Sequence, residues 1–140
     1  AYLSYKTHVE KNSLYNTPPV FSIYAMKLVL DWVKIQGGAS AMAEINDRKA
    51  ALVYDAINDL GEFYSCPVDE RYRSTMNVVF RLPTEELETQ FVAEAKDSGM
   101  IGLKGHRSVG GCRASLYNAM PLEGAEQLAS FMRDFAKKHG

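Results

Sequence analysis

Thr75 to Ala95 reads TMNVVFRLPTEELETQFVAEA, and its hydrophobic period changes at Pro83. Up to Leu82 the residues alternate. Met76, Val78, Phe80 and Leu82 fall on one face and Asn77, Val79 and Arg81 on the other, the period of two that marks a half-buried strand. Beyond Pro83 the spacing becomes helical, with Leu87, Phe91, Val92 and Ala95 forming one stripe. Pro83-Thr84-Glu85-Glu86 reads as the start of this helix, because acids in a first turn complement the helix dipole. Ser98-Gly99 closes it. A strand followed at once by a helix calls for two layers, one of sheet and one of helix.

Working outward toward the C-terminus, a short strand is expected around Ile101 to Leu103, and another over Cys112 to Tyr117 with Arg113, Ser115 and Tyr117 opposite Ala114 and Leu116. Pro121-Leu122-Glu123-Gly124 opens a helix running to about Lys138, whose stripe is Leu128, Phe131, Met132 and Phe135. Lys137, Lys138 and His139 lie in or beside its last turn, where cations suit the dipole. Toward the N-terminus, SCPVDERYRS (65–74) reads as a surface connection. A helix from about Ser40 to Leu60 precedes it, with Met42, Ile45, Leu52, Val53, Ala56, Ile57 and Leu60 inward and Glu44, Asp47, Arg48 and Asp55 in water; Gly61 ends it. Before Gly37-Gly38, residues 19–36 are apolar nearly all round apart from Lys27, Asp31 and Lys34, which predicts a helix covered on more than one face. Tyr15-Asn16-Thr17-Pro18-Pro19 reads as an extended lead-in, with Thr17 as the expected N-cap. The resulting class is α+β, with a small antiparallel sheet of about three strands covered by helices.

A chain of 140 residues suits one domain with a core and is short for a two-domain enzyme. With 16 basic and 17 acidic residues, bulk charge gives no reason to expect nucleic acid or an anionic membrane as partner, so any anion site must be local. Cys66 and Cys112 share no metal-binding or redox spacing, which fits a reducing cytoplasm. The start, AYLSYKTHVEKNS, has no signal-peptide core and reads as the continuation of something longer.

The local site is KGHRSVGGCRASLYN, Lys104 to Asn118. His106 and Arg107 sit between Gly105 and the Gly110-Gly111 pair, and Arg113 follows on the strand. Two guanidinium forks six residues apart suit two anionic groups of one small molecule, with His106 as a further donor and the glycines allowing close backbone approach. The three side chains are expected to converge on one concave surface. Most of the lysines read as solvated; Lys104 alone stands beside the loop.

SLYNTPPVFSIY (13–24), GLKGHRSVGG (102–111) and YNAMPLEGAEQLASFM (117–132) occur in an order that resembles the C-terminal portion of the phosphoserine aminotransferases, of the class V, fold type I pyridoxal-phosphate family. The resemblance covers nearly the whole chain. It implies that His106 and Arg107 bind the phosphate of phosphoserine, that Arg113 holds its α-carboxylate, and that Asn16 and Thr17 contact the cofactor phosphate in the neighbouring subunit of a homodimer. It implies further that residues 1–17 lead in from a large domain, that 18–140 form the small domain, and that the Schiff-base lysine, the acidic partner of the pyridinium and the aromatic that stacks on the cofactor lie upstream of Ala1. The parent would exchange an amino group between phosphoserine or phosphohydroxythreonine and glutamate/2-oxoglutarate in serine and pyridoxine biosynthesis, in the cytoplasm. The fragment alone would be inactive, with no catalytic residue of its own. Cys112 stands where a larger apolar residue such as Met is expected in the family. Composition and pattern leave a second reading open, a free-standing α+β regulatory module that senses an anionic metabolite through His106, Arg107 and Arg113.

Overall fold

The computed structural model describes residues 1–140. By internal packing the chain divides into Ala1–Ala39 and Ser40–Gly140.

The first unit holds a short helix α1 (Tyr5–Glu10) and the long helix α2 (Val20–Ile35). The expected helix is present, one residue shorter at each end, but its cap differs. Pro19 occupies the N-cap position and no side chain caps the end. The two prolines explain this. With Thr17 as cap, Pro19 at the second helical position would lack an N–H and the Val20 amide at the third is taken by the Pro18 carbonyl at 2.8 Å, while Pro19 keeps Pro18 out of the helical region. No residue of α2 is buried: Phe21 is 82% exposed and Ile35 80%. The cover that its all-round apolar sequence calls for is not supplied within the first unit.

The second unit contains the core. Helix α3 (Gly38–Asp59) buries Met42, Val53, Ala56 and Ile57, and leaves Glu44, Asp47, Arg48 and Asp55 in water as the pattern predicts. Strand β1 (Asn77–Phe80) turns Val78 and Phe80 inward, and Leu82 beyond it is also buried. Helix α4 (Glu85–Asp97) is capped by Thr84, whose hydroxyl accepts from the Leu87 amide at 3.3 Å. It ends as expected at Ser98-Gly99, with Met100 N–H bonded to the Ala95 carbonyl and Gly99 N–H to that of Lys96. Strand β2 (Cys112–Ser115) pairs antiparallel with β1, Phe80 opposite Cys112 and Asn77 opposite Ser115. Helix α5 (Leu122–His139) buries Leu128, Met132 and Phe135.

Two strands form where about three were expected. Ile101 to Leu103 does not make a strand, because Gly102 adopts φ of +79° and breaks the extended run. What survives is a single bridge, Lys104 to Cys112, with Arg113 N–H donating to the Leu103 carbonyl at 2.8 Å. On the far side of β1 a second bridge, Ser65 to Arg81, covers that edge. The sheet and helices enclose an aromatic cluster centred on Phe91, whose ring lies 5.1 to 6.2 Å from those of Tyr64, Phe80, Phe131 and Phe135. The Tyr64 hydroxyl reaches the Met132 carbonyl at 2.9 Å, so the one polar atom of that ring is paired. No helix is long and apolar enough to cross a membrane.

Candidate functional site

The segment between the Lys104 bridge and β2 is a closed loop. Gly105 N–H donates to the Gly111 carbonyl at 2.8 Å, and inside that closure the Val109 and Gly110 amides both donate to the His106 carbonyl. The ends approach so closely that a Cβ on Gly105 would stand 2.0 Å from the Gly110 oxygen. Glycine at 105 is therefore demanded by the loop's own backbone, a different role from the approach to a ligand expected of it.

Within the loop, His106 Nδ1 lies 2.7 Å from the Ser108 hydroxyl and 3.3 Å from the Ser108 amide nitrogen. A backbone N–H can only donate, so Nδ1 accepts and the neutral ring carries its proton on Nε2. His106 is thus oriented as a donor. Arg107 is exposed, and its guanidinium has no hydrogen-bond or ion-pair partner in the chain. His106 and Arg107 line a cavity of about 440 Å³ between the loop and α4, with Lys104 on the loop side and Glu85, Glu88 and Thr89 on the helix side.

Arg113 stands elsewhere. Strand alternation places it, half-buried, on the sheet face opposite Cys112 and Ala114, with Val79 as its cross-strand neighbour. It lines a second cavity of about 490 Å³ with Gly99 to Leu103, Ser115, Leu116, Met120 and Gln127. Its Nε is buried without a hydrogen-bond partner. Neither of these two cavities is lined by all three basic residues, so at neither does the convergence expected from the sequence occur. The reason is local. The glycine closure folds the His106-Arg107 tip toward α4, whereas the register of β2 fixes Arg113 by its pairing with β1.

Asn16 and Thr17, in the first unit, are both exposed, and neither side chain makes a hydrogen bond within the chain. Since Pro19 takes the cap position, their polar groups are not committed to the helix end.

Three polar residues around these sites escape pattern reading. Arg81 donates from Nε to Glu88 at 2.6 Å and from Nη1 to the Val109 carbonyl at 3.0 Å, tying the loop to α4. Glu88 is only 7% exposed and also accepts from the Leu82 amide. Lys49, expected among the solvated lysines, is 0% exposed, and its ammonium donates to the carbonyls of Leu116, Tyr117 and Met120. It holds the turn that leaves β2. The available signal for Lys49 was its place on α3 between Asn46 and Val53, both on the inward face.

Residues 1–128 match the family model of the class-V aminotransferases. The chain is 61% identical to the phosphoserine aminotransferase of Herpetosiphon aurantiacus and 58% identical to that of Geobacillus kaustophilus, over 99% and 97% of its own length. In both cases it spans 38% of the relative's length. Among solved structures it superposes on the phosphoserine aminotransferase of Bacillus circulans subsp. alkalophilus with a TM-score of 0.89 at 51% identity, covering 97% of this chain and 38% of that one. A pyridoxal-phosphate-bound phosphoserine aminotransferase from Trichomonas vaginalis matches 92% of this chain and 37% of its own, with a TM-score of 0.81 at 36% identity.

Proposed function

The chain belongs to the class-V aminotransferases, and from that premise we propose that it is the C-terminal part of a phosphoserine aminotransferase, contributing the substrate-binding side of a site completed by the rest of the parent. The observation that carries this reading is its near full-length likeness to phosphoserine aminotransferases, which the chain matches over about 38% of their length. The free-standing regulatory module has no support in these relationships. In the proposed parent, residues 1–17 lead in from a large domain and 18–140 form the small domain.

The roles divide by chemistry. His106, as an Nε2–H donor, and Arg107, as an unpaired fork, take the phosphate of phosphoserine in the cavity beside α4. Arg113 takes the α-carboxylate. A strand residue suits that task, because the carboxylate fixes the carbon at which the proton is moved, and no hydrogen bond or ion pair within the chain engages the Arg113 guanidinium. Since the two cavities are separate in this chain, one substrate reaches both arginines only in a space that the remainder of the parent helps enclose.

Pyridoxal phosphate, when bound in the parent, supplies the electron sink for removal of the α-proton. Asn16 and Thr17 fit a part in holding its phosphate, being uncommitted amide and hydroxyl groups, and in a homodimer they would do so for the neighbouring subunit. No lysine here fits the role of cofactor carrier. Lys49 is saturated by three carbonyls, and exposed Lys104 stands beside the phosphate cavity with no acidic partner for the pyridinium assigned in the chain. That lysine is assigned to the remainder of the parent.

Steady-state kinetics of the intact parent separate the roles. Arg113→Lys should lower kcat/KM for phosphoserine and glutamate alike, roughly 10- to 100-fold, because an ammonium cannot reproduce a bidentate grip. Arg107→Ala should penalise phosphoserine more than glutamate, since only phosphoserine carries the doubly charged group. Equal losses for the two substrates in Arg107→Ala would reject the assignment.

A further inference from the structure

The loop that carries His106 and Arg107 is held from outside by one side chain. We infer that Arg81, locked by Glu88, is a positioning residue for this loop and the neutraliser of a carboxylate that would otherwise oppose a phosphate there. The inference deepens the phosphate reading of His106 and Arg107 and rests on it.

Arg81 lies at the end of β1, bridged to Ser65 through both backbone groups, so its backbone is fixed. From there the guanidinium makes two contacts in different directions: Nε to the Glu88 carboxylate and Nη1 to the Val109 carbonyl. Glu88 is itself held by the Leu82 amide and is nearly fully buried, so the fork is anchored before it reaches the loop. The loop's glycine pair accommodates this arm. A Cβ on Gly111 would stand 2.6 Å from Arg81 Cδ, and one on Gly110 would stand 3.3 Å from Nη1. Gly110-Gly111 is thus the notch through which Arg81 grips Val109, three residues from His106 and two from Arg107.

The electrostatic half follows from the cavity lining. Glu88 shares the cavity with His106 and Arg107, and an unpaired buried carboxylate would repel a phosphate there at short range in a medium that screens poorly. Pairing with Arg81 offsets that charge and leaves Arg107 and Lys104 facing a single remaining carboxylate, Glu85, in the lining. Lysine at 81 retains the charge, yet a single ammonium on a shorter polar reach cannot span both Glu88 and the Val109 carbonyl.

The test uses this 140-residue chain with Arg81→Gln and Arg81→Lys. Amide hydrogen exchange is read residue by residue, and inorganic phosphate is titrated against the His106 imidazole resonances by NMR. In Arg81→Gln the Gly105 and Gly110 amides should exchange roughly tenfold faster or more, about what losing one charge-assisted hydrogen bond allows, while α3 and α5 keep their protection. The phosphate midpoint should weaken by about the same factor, and Arg81→Lys should fall between wild type and Arg81→Gln in both measurements. Unchanged loop exchange in Arg81→Gln overturns the inference. So does a uniform rise across loop, α3 and α5, which would make Arg81 a general stability element. A wild-type His106 that ignores phosphate, with the loop-specific exchange result intact, would instead reject the phosphate reading and leave the positioning role standing.

Discussion

At Lys49 an ammonium with three hydrogens meets three carbonyl oxygens, at 2.8 to 3.2 Å, in a site with no exposure. Burial pulls its pKa below the ordinary lysine value, and the three acceptors are what make a charged group tolerable there. Lys49→Met keeps the stem and removes the donors, taking that partner from the Leu116 and Met120 carbonyls, while the Tyr117 carbonyl keeps only the Met120 amide. Its expected cost is about 3 kcal/mol, measured as a lower urea midpoint at unchanged slope. A shift within about 0.5 kcal/mol, the scale of ordinary surface changes, would remove the latch role. Cys112 gives a second residue-level test. Burial, helped by the Glu88 carboxylate, pushes its thiol from 9.0 up to about 12. Because the folded pKa is the higher one, the folded state holds its proton longer, and stability present below pH 9 is lost as pH rises toward 12. The alkaline fall in stability should therefore be shallower in Cys112→Ala, by up to ~1.4 kcal/mol per pH unit. Identical slopes would show that the thiol does not contribute.

Elements whose period is strong were legible from sequence, and those made by single contacts were not. The alternation of Val78, Phe80 and Leu82 and the stripe of Phe91 and Ala95 give β1 and α4 because each residue's face follows from local geometry alone. The expected strand at Ile101 to Leu103 failed on Gly102, where one positive φ outweighs two apolar neighbours. In the site, the residue types in KGHRSVGG were visible and their direction was not. Whether the loop tip faces α4 or Arg113 depends on closure across Gly105 and on Arg81, a residue 24 positions before Gly105 whose alternating place on β1 suggested only solvent. Gly105→Ala isolates the closure. Its methyl would meet the Gly110 carbonyl, so the substitution should either cost ~1–3 kcal/mol or open the loop. Retained protection of the Gly105 amide with unchanged thermal stability would contradict the closure described above.

Across the molecule, burial is confined to Ser40–Gly140. The nineteen-residue core cluster from Val53 to Ala136 draws on α3, both strands, α4 and α5, whereas neither α1 nor α2 buries a residue. The core unit therefore has what it needs to fold as this chain stands, and truncating residues 1–37 should leave its unfolding midpoint within about 0.5 kcal/mol, the range of surface changes. Function divides differently. Two cavities lined by basic residues are present, but the only buried lysine is committed to backbone carbonyls, and the one lysine that lines either cavity, Lys104, has no acidic partner assigned to a pyridinium. The chain alone should accordingly bind substrate-like anions weakly and transfer no amino group between phosphoserine and 2-oxoglutarate. Colour on mixing with pyridoxal phosphate is a poor guide, because exposed lysines react with excess aldehyde at random. Borohydride trapping followed by peptide mapping discriminates: scattered, substoichiometric labelling is expected, alongside no phosphoserine-dependent formation of glutamate. One lysine labelled to full stoichiometry together with turnover would place the carrier inside these 140 residues, and Lys104, exposed and beside the His106-Arg107 loop, would be that residue.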